Sequence, residues 1–198
     1  MAIDERFQHP QYLIRRKVLK ILGGAFHVFD PAGNVVFYSK MKAFKLREDI
    51  RLYTGEDMTQ ELLTINARQI VDIAAAYDVV DARTGEKVGA LKRRGWKSMV
   101  RDSWIVMDAQ DAEIGSIVED NALRAVLRRI LGELVSIISP QRYHFEIGGQ
   151  PVATGQQNRN PFVYKVTLDF SQDMMNRLDR RLGLAAGLLL AAIEGKQN

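Results

Sequence analysis

The feature that most constrains this chain is an apolar run, residues 182–193, which contains no charged or polar side chain. A helix that is apolar on all sides lies inside a protein or inside a membrane. Twelve helical residues rise only ~18 Å, whereas the hydrocarbon core of a bilayer is about 30 Å thick. The run therefore predicts a helix over residues 177–194, N-capped by Ser171 or Asp173, that the rest of the protein encloses.

The segments before this helix repeat one unit, which is a short strand, a turn rich in Gly or Asp, and a returning strand. Residues 25–30 and 35–41 are rich in β-branched and aromatic side chains, and residues 31–34 between them carry turn chemistry. Hairpins at such spacing are typical of an antiparallel sandwich or barrel. Closing the sheet removes its edges, and a barrel of more than about eight strands leaves a lumen that the apolar helix would fill.

A second helix is predicted at residues 122–135, where one face is apolar and the other basic. Its apolar face comprises Leu123, Val126, Leu127, Ile130, Leu131, Leu134 and Val135. This spacing is helical. The helix either covers one end of the barrel or lies on a membrane surface. The predicted fold is thus mainly β (α+β), a closed antiparallel barrel of about twelve short strands around a buried hydrophobic C-terminal helix.

Length and charge indicate one domain with a mildly basic surface. The 198 residues contain no linker-like stretch, so we expect a single domain over residues 1–198 with a loose leader at residues 1–10. The net charge of +4 admits anionic partners such as phospholipid headgroups or nucleic acid. One basic cluster, Arg15, Arg16 and Lys17, lies in the first predicted strand.

Several chemistries have no support in the residue pattern. The chain has no cysteine, which excludes disulfides and thiolate chemistry. His9, His27 and His144 lack the spacing of metal ligands, and no phosphate loop or nucleophile elbow is present. We therefore expect a protein that is not an enzyme and holds no metal or cofactor. The first ten residues lack a signal-peptide core, which favours a cytoplasmic location, with peripheral membrane association if headgroups are bound.

The order of these elements resembles the tubby-like superfamily, which includes the LURP-one-related proteins and the phospholipid scramblases. The resemblance rests on residues 26–37, the hairpin over residues 77–91, residues 104–108 and the run 182–193. It implies a barrel of about twelve strands around one helix. For tubby it also implies binding of phosphoinositide headgroups through a Gly-Lys-Leu-Arg strand. The matching stretch here is Gly89, Ala90, Leu91 and Lys92, in which one basic position is replaced by alanine.

The candidate binding site is a basic segment over residues 92–101, expected to be a hairpin loop. Its proposed headgroup-binding residues are Lys92, Arg93, Arg94, Trp96, Lys97 and Arg101. Positive charge beside an exposed aromatic ring suits an anionic membrane surface, and it also suits single-stranded nucleic acid. The alternative is a solvated loop with Trp96 in the core.

Four functional hypotheses follow. The first is a non-catalytic binding module for anionic membrane phospholipid headgroups. The second is scramblase-like translocation of lipid. The third is nucleic-acid binding, and the fourth is a scaffold or a carrier of small hydrophobic molecules in the lumen.

Overall fold

The structure is a computed structural model that describes residues 3–19, 23–41, 49–68, 76–93, 103–120, 141–158 and 163–193. This part of the chain begins with a 3-10 turn, Glu5–Phe7, and forms twelve strands and one α-helix. The strands are β1 Gln11–Leu19, β2 Gly23–Phe29, β3 Val35–Met41, β4 Asp49–Tyr53, β5 Glu61–Ala67, β6 Ala76–Asp81, β7 Lys87–Arg93, β8 Ser103–Met107, β9 Glu113–Glu119, β10 Arg142–Ile147, β11 Gln150–Asn158 and β12 Tyr164–Asp169. The helix, α1, spans Arg180–Ile193.

The strands form a closed barrel in which each pairs with its neighbours in sequence, and β1 closes the ring against β12. All of the pairs are antiparallel, and at the closing seam Ile14 lies opposite Val166. The prediction of a closed antiparallel barrel of about twelve strands is confirmed. Closure leaves the sheet no free edge, which is the physical reason that a meander of this length is stable as a ring.

Alternation along each strand sends apolar side chains into the lumen, where they meet α1. In β10, for example, Tyr143, Phe145 and Ile147 are buried while the residues between them are exposed. Within α1, Leu184 and Leu188 are 0% exposed, so the helix is the centre of the core. The predicted buried C-terminal helix is therefore confirmed, and in the described part of the chain no helix is long and apolar enough to cross a bilayer.

The start of the helix differs from the sequence prediction, because α1 begins at Arg180 rather than at residue 177. The N-cap is Asp179, whose carboxylate accepts a hydrogen bond from the backbone N–H of Arg181 at 2.8 Å. Asp173 instead organises the segment before the helix, where it accepts the backbone N–H groups of Arg177 and Leu178. Asp173 and Asp179 can both cap a helix, and it is Asp179, farther along the chain, that caps α1.

Residues 3–10, the described part of the segment predicted as a loose leader, pack against the barrel. Phe7 is 1% exposed, and its ring centroid lies 4.7 Å from that of Phe37. The Tyr12 hydroxyl donates to the carbonyl oxygen of Arg6 at 2.8 Å. Burial of one such aromatic ring contributes about 1.5–3 kcal/mol, which fixes the segment across the end of the barrel.

The two ends of the barrel are distinguished by the direction of α1. Near the end of β1, Arg16 contacts Ala191, whereas Asp81 at the end of β6 contacts Arg181. Odd-numbered strands therefore end at the rim where α1 ends, here called the upper rim, and even-numbered strands end at the lower rim. The predicted helix at 122–135 lies outside the described residues. In the sequence it falls between β9, which ends at the upper rim, and β10, which begins there.

Candidate functional site

Only two of the six residues in the predicted headgroup site are described, and they occupy opposite faces of β7. Lys92 is exposed on the outer wall, whereas Arg93 pairs with Trp104, which is 2% exposed. Successive side chains of a strand point to opposite faces, so these two cations do not act together on one surface. Arg94, Trp96, Lys97 and Arg101 lie outside the described residues, and the proposed loop stays a prediction.

The basic cluster in β1 is divided by the same alternation. Arg16 points into the lumen and is 5% exposed, and its Nη1 donates to the carbonyl oxygen of Ala191 at 3.1 Å. This cation therefore satisfies a carbonyl group at the C-terminal end of α1, where positive charge is favourable. Burial lowers the pKa of Arg16 from its ordinary value. Its neighbours Arg15 and Lys17 lie on the outer wall.

The outer wall of β12, β1 and β3 carries a group of cations that we call the basic face, defined by Arg15, Lys17, Lys40 and Lys165. Arg15 lies directly opposite Lys165 across the closing seam, and Lys17 and Lys40 both lie opposite Ala25 of β2. Within the described part of the chain, none of these four side chains has a salt bridge or a hydrogen bond. Like charges directly opposite each other destabilise a sheet. The basic face is thus a group of positive charges that form no ion pair within the described structure.

A groove of about 370 Å³ opens in this face beside Arg15 and Lys165. Its other polar lining includes Asn158, Thr167 and Asp30, and Phe29 forms part of its apolar wall. The guanidinium carbon of Arg15 lies 4.8 Å from the centroid of the Phe29 ring. This cation–π contact holds the arginine side chain along the wall instead of leaving it free in solvent.

Two other groups of cations in the described structure are paired with acids. On the outer wall, Arg68 and Lys87 both bind the carboxylates of Asp78 and Asp111. The hydrogen bond from Arg68 is the largest factor that lowers the pKa of Asp78, and that from Lys87 is the largest for Asp111. Both acids therefore stay ionised and paired, in contrast to the basic face.

The second cluster lies at the lower rim around Asp81, which is 1% exposed. Arg181 donates to its carboxylate at 2.9 Å, and the backbone N–H of Arg83 donates at 3.0 Å. Burial raises the pKa of Asp81, but the hydrogen bonds from Arg83 and Arg181 together outweigh burial and the net shift is downward. Arg181 also forms a salt bridge with Asp179, and Arg83 forms one with Asp4. The cluster ties the leader, the β6–β7 turn and the start of α1 together.

The histidines are used in local pairs. His27 is 5% exposed, and its Nε2 lies 2.7 Å from an Oε1 oxygen of Glu56. His144 lies 3.4 Å from a carboxylate oxygen of Asp120. Among the described residues, no group of three or more metal-ligating side chains comes together.

Two methionines are the most exposed large apolar side chains in the described structure. Met174 is 90% exposed and Met175 is 75% exposed, and both lie in the segment that joins β12 to α1 at the lower rim. Arg177 follows them and contacts the sulfur of Met175 at 3.5 Å. The sequence analysis did not identify this tip, because the exposure of a methionine leaves no local pattern. Of the basic face it identified only Arg15 and Lys17.

Comparisons with known proteins bear on the fold. No family model matches the chain, and no curated protein matches it. Among solved structures, the chain is similar to an X-ray structure of a protein from Arabidopsis thaliana, with 14% sequence identity and a TM-score of 0.52. The match covers 98% of this chain and 98% of that one. At this identity the likeness shows a shared architecture alone, so function has to be argued from the residues of this chain.

Proposed function

We propose that the protein is a non-catalytic binding module for anionic phospholipid headgroups at a membrane surface. The observation that carries this proposal is the basic face, on which Arg15, Lys17, Lys40 and Lys165 have no acidic partner in the described structure. Acids pair with the cations of the outer-wall and lower-rim clusters. Four unpaired cations gathered on one wall are what an external anion would neutralise.

The energetics favour a surface of anionic lipid. Each lysine or arginine near such a surface contributes about 1 kcal/mol, so four cations on one wall supply enough for peripheral attachment at low salt. The exposed tip of Met174 and Met175 adds apolar side chains of the kind that enter the headgroup boundary. Lys17, Lys40 and Lys165 lie toward the upper rim and the methionines lie at the lower rim, so a membrane that touches both has to run along the length of the barrel.

The resemblance to the tubby-like superfamily supports the same class of function, although it points to another wall. The stretch matched to the tubby headgroup strand is in β7, which is six strands around the ring from β1. There Ala90 is 0% exposed, and Lys92 is the exposed cation. We therefore favour the basic face over β7 as the principal membrane contact.

Flotation with lipid vesicles tests this proposal. The protein should float with vesicles that contain phosphatidylglycerol or phosphatidylserine at about 0.1 M salt, where the Debye length is about 10 Å, and less at higher salt. It should not float with vesicles of phosphatidylcholine alone. The quadruple variant Arg15→Gln, Lys17→Gln, Lys40→Gln, Lys165→Gln should lose flotation.

A matched control uses two exposed cations outside the basic face. Lys92→Gln combined with Arg142→Gln should keep most of the flotation, because neither residue lies on β12, β1 or β3. Loss of flotation in this control, with retention in the quadruple variant, would overturn the assignment of the basic face. Failure of the unaltered protein to bind acidic vesicles at low salt would overturn the function itself.

Parallel measurements test the hypotheses of lipid translocation and nucleic-acid binding. Transfer of a dye-labelled lipid between leaflets in proteoliposomes would indicate scramblase-like translocation. Retention of a single-stranded oligonucleotide with a steep salt dependence, without vesicle binding, would indicate a nucleic-acid-binding protein. The fourth hypothesis is a carrier of small hydrophobic molecules in the lumen. At Gly183 and Gly187 of α1 the surrounding side chains leave no room even for a Cβ atom, and this close packing does not favour a ligand beside the helix.

A further inference from the structure

We infer that the groove at the closing seam is a discrete site for the phosphate group of a polyol phosphate, with Arg15 and Lys165 as its cationic pair. This inference rests on the proposed function and deepens it, because it distinguishes a shaped site from a diffuse electrostatic surface. The groove lies between β12, β1 and the β2–β3 turn.

The cationic pair is the first step of the argument. Arg15 and Lys165 are half-buried and directly opposite each other in register across the seam. Two positive side chains in this arrangement repel, and the repulsion is stronger where solvent is partly excluded. A phosphate placed between them converts the repulsion into two charge-assisted interactions.

The second step is that Arg15 is held in position with an unused donor. Its guanidinium lies against Phe29, and its Nε is buried without a hydrogen-bond partner in the described structure. A buried polar group without a partner costs about 1–3 kcal/mol, and such groups in folded proteins call for a physical reason. An oxygen atom of a phosphate that enters the groove can accept from this side chain, and an arginine already fixed in position loses little rotamer freedom on binding.

The remaining lining indicates what is attached to the phosphate. Asn158 and Thr167 supply neutral hydrogen-bonding groups beside the cations. Asp30 lies at the end of the groove, where its carboxylate accepts hydrogen bonds from the backbone and side chain of Asn34. An ionised carboxylate repels a second phosphate there, but it accepts hydrogen bonds from hydroxyl groups. Cations at one end and an acceptor at the other fit a phosphate that carries a polyol such as inositol or glycerol.

Size agrees with this class of ligand. Small-molecule sites are clefts of about 300–1,000 Å³ with apolar walls and a few placed polar groups. The groove, at about 370 Å³, is at the lower end of this range. It can hold one headgroup, whether that headgroup belongs to a lipid or to a soluble phosphate ester.

Matched pairs of variants test the site. Arg15→Gln with Lys165→Gln, and Lys17→Gln with Lys40→Gln, remove the same charge from the same face. In titration calorimetry with soluble inositol monophosphate, the first pair should weaken binding by about tenfold or more, and the second by about twofold or less. Equal losses in the two pairs would show a diffuse surface and overturn the discrete site.

Two further probes define the ligand. Inorganic phosphate should bind more weakly than inositol monophosphate or glycerol phosphate, and Asp30→Asn should reduce that preference. Equal binding of inorganic phosphate and the polyol phosphates would overturn the assignment of a polyol. Thermal unfolding midpoints should be unchanged or raised in the Arg15 and Lys165 pair, because its removal relieves repulsion, so a loss of binding cannot be ascribed to unfolding.

Comparison of vesicles with soluble probes also shows whether the ligand is a lipid headgroup or a soluble phosphate ester. Binding of phosphatidylinositol vesicles that exceeds binding of phosphatidylserine vesicles at equal surface charge supports the groove in a membrane context. Binding of soluble inositol monophosphate without binding of any vesicle would overturn the proposed membrane function while the groove site stands. Vesicle binding with no measurable binding of the soluble probes would overturn the groove site while the proposed membrane function stands.

Discussion

Arg16 reaches across the interior of the barrel and donates to the carbonyl oxygen of Ala191 at 3.1 Å, so the first strand of the wall is bonded to the last turn of the enclosed helix. The side chain is buried, and the carbonyl group it satisfies belongs to a helix end. This relationship makes one residue of the β1 basic cluster structural, while its two neighbours are available to solvent.

The first prediction follows from that bond. Arg16→Ala should lower the free energy of unfolding by about 1.5–3 kcal/mol, because a hydrogen bond from a charged donor is lost and a helix carbonyl is left without this partner. The adjacent change Lys17→Ala, at an exposed position of the outer wall, should alter it by about 0.5 kcal/mol or less. Urea unfolding of both variants provides the measurement. Equal effects at the two positions would contradict the division of the cluster into inner and outer cations.

The second prediction concerns a helix glycine. A Cβ at Gly183 would lie 2.5 Å from Cε1 of the Phe170 ring, which cannot yield as a flexible side chain can. Gly183→Ala should therefore destabilise the protein by about 1–3 kcal/mol, although alanine is the better helix former by about 1 kcal/mol. In a Phe170→Leu background the same change should cost less, and a double-mutant cycle by thermal or urea unfolding measures the difference. Additive effects would show that the ring is not the obstacle.

The third prediction concerns pH. The pKa of Asp81 is lowered in the folded state, so the stability it contributes is present above the ordinary aspartate pKa and is lost as the pH falls through the lower, folded value. Asp81→Asn should cost about 2 kcal/mol or more at pH 7, because it removes the more deeply buried of the two carboxylates that bind Arg181. The gap between the variant and the unaltered protein should narrow below about pH 4. Urea unfolding across this range tests it.

An exposed acid provides the control for the pH experiment. Glu86→Gln, in the β6–β7 turn, should leave the free energy of unfolding within about 0.5 kcal/mol at every pH. If the stability gap of Asp81→Asn were the same at pH 7 and pH 3, its ionised carboxylate would not be the source of the stabilisation.

The fourth prediction concerns the exposed methionines and depends on the proposed function. Met174→Asp should reduce flotation with acidic vesicles by about tenfold, which corresponds to ~1.4 kcal/mol of lost apolar contact and added repulsion. Met58→Asp makes the same chemical change at another lower-rim turn, where the side chain is 37% exposed, and should leave flotation nearly unchanged. Similar losses in both variants would indicate a general charge effect and not a specific contact of the tip.

Local pattern in the sequence was sufficient to predict the barrel and its enclosed helix. Strand residues alternate with period two, and the charge-free run at 182–193 has no place except the lumen. The same alternation, applied to β1 with Tyr12 and Ile14 inside, would also have placed Arg16 inside. The start of α1 was harder, because Asp173 and Asp179 both have cap chemistry and only packing selects between them.

The basic face was beyond local reasoning for a different reason. Lys165 becomes the neighbour of Arg15 only when β12 pairs with β1, and Lys40 joins through the register of β2 with β3. Charge counts along the chain favour contiguous runs such as residues 92–101, whereas a sheet assembles surfaces from residues that are distant in sequence. Strand register, which a single local pattern does not contain, decides which cations share a face.

The seam between β1 and β12 has a consequence for the kinetics of folding. The pairing of Ile14 with Val166 joins residues separated by most of the described chain, so the entropy of closing a very long loop has to be overcome before the ring exists. The helix that fills the lumen follows β12, and until it docks the inward side chains have nothing to pack against. Proteins dominated by such distant pairings fold slowly, and we expect the search for this one strand pair to limit the rate.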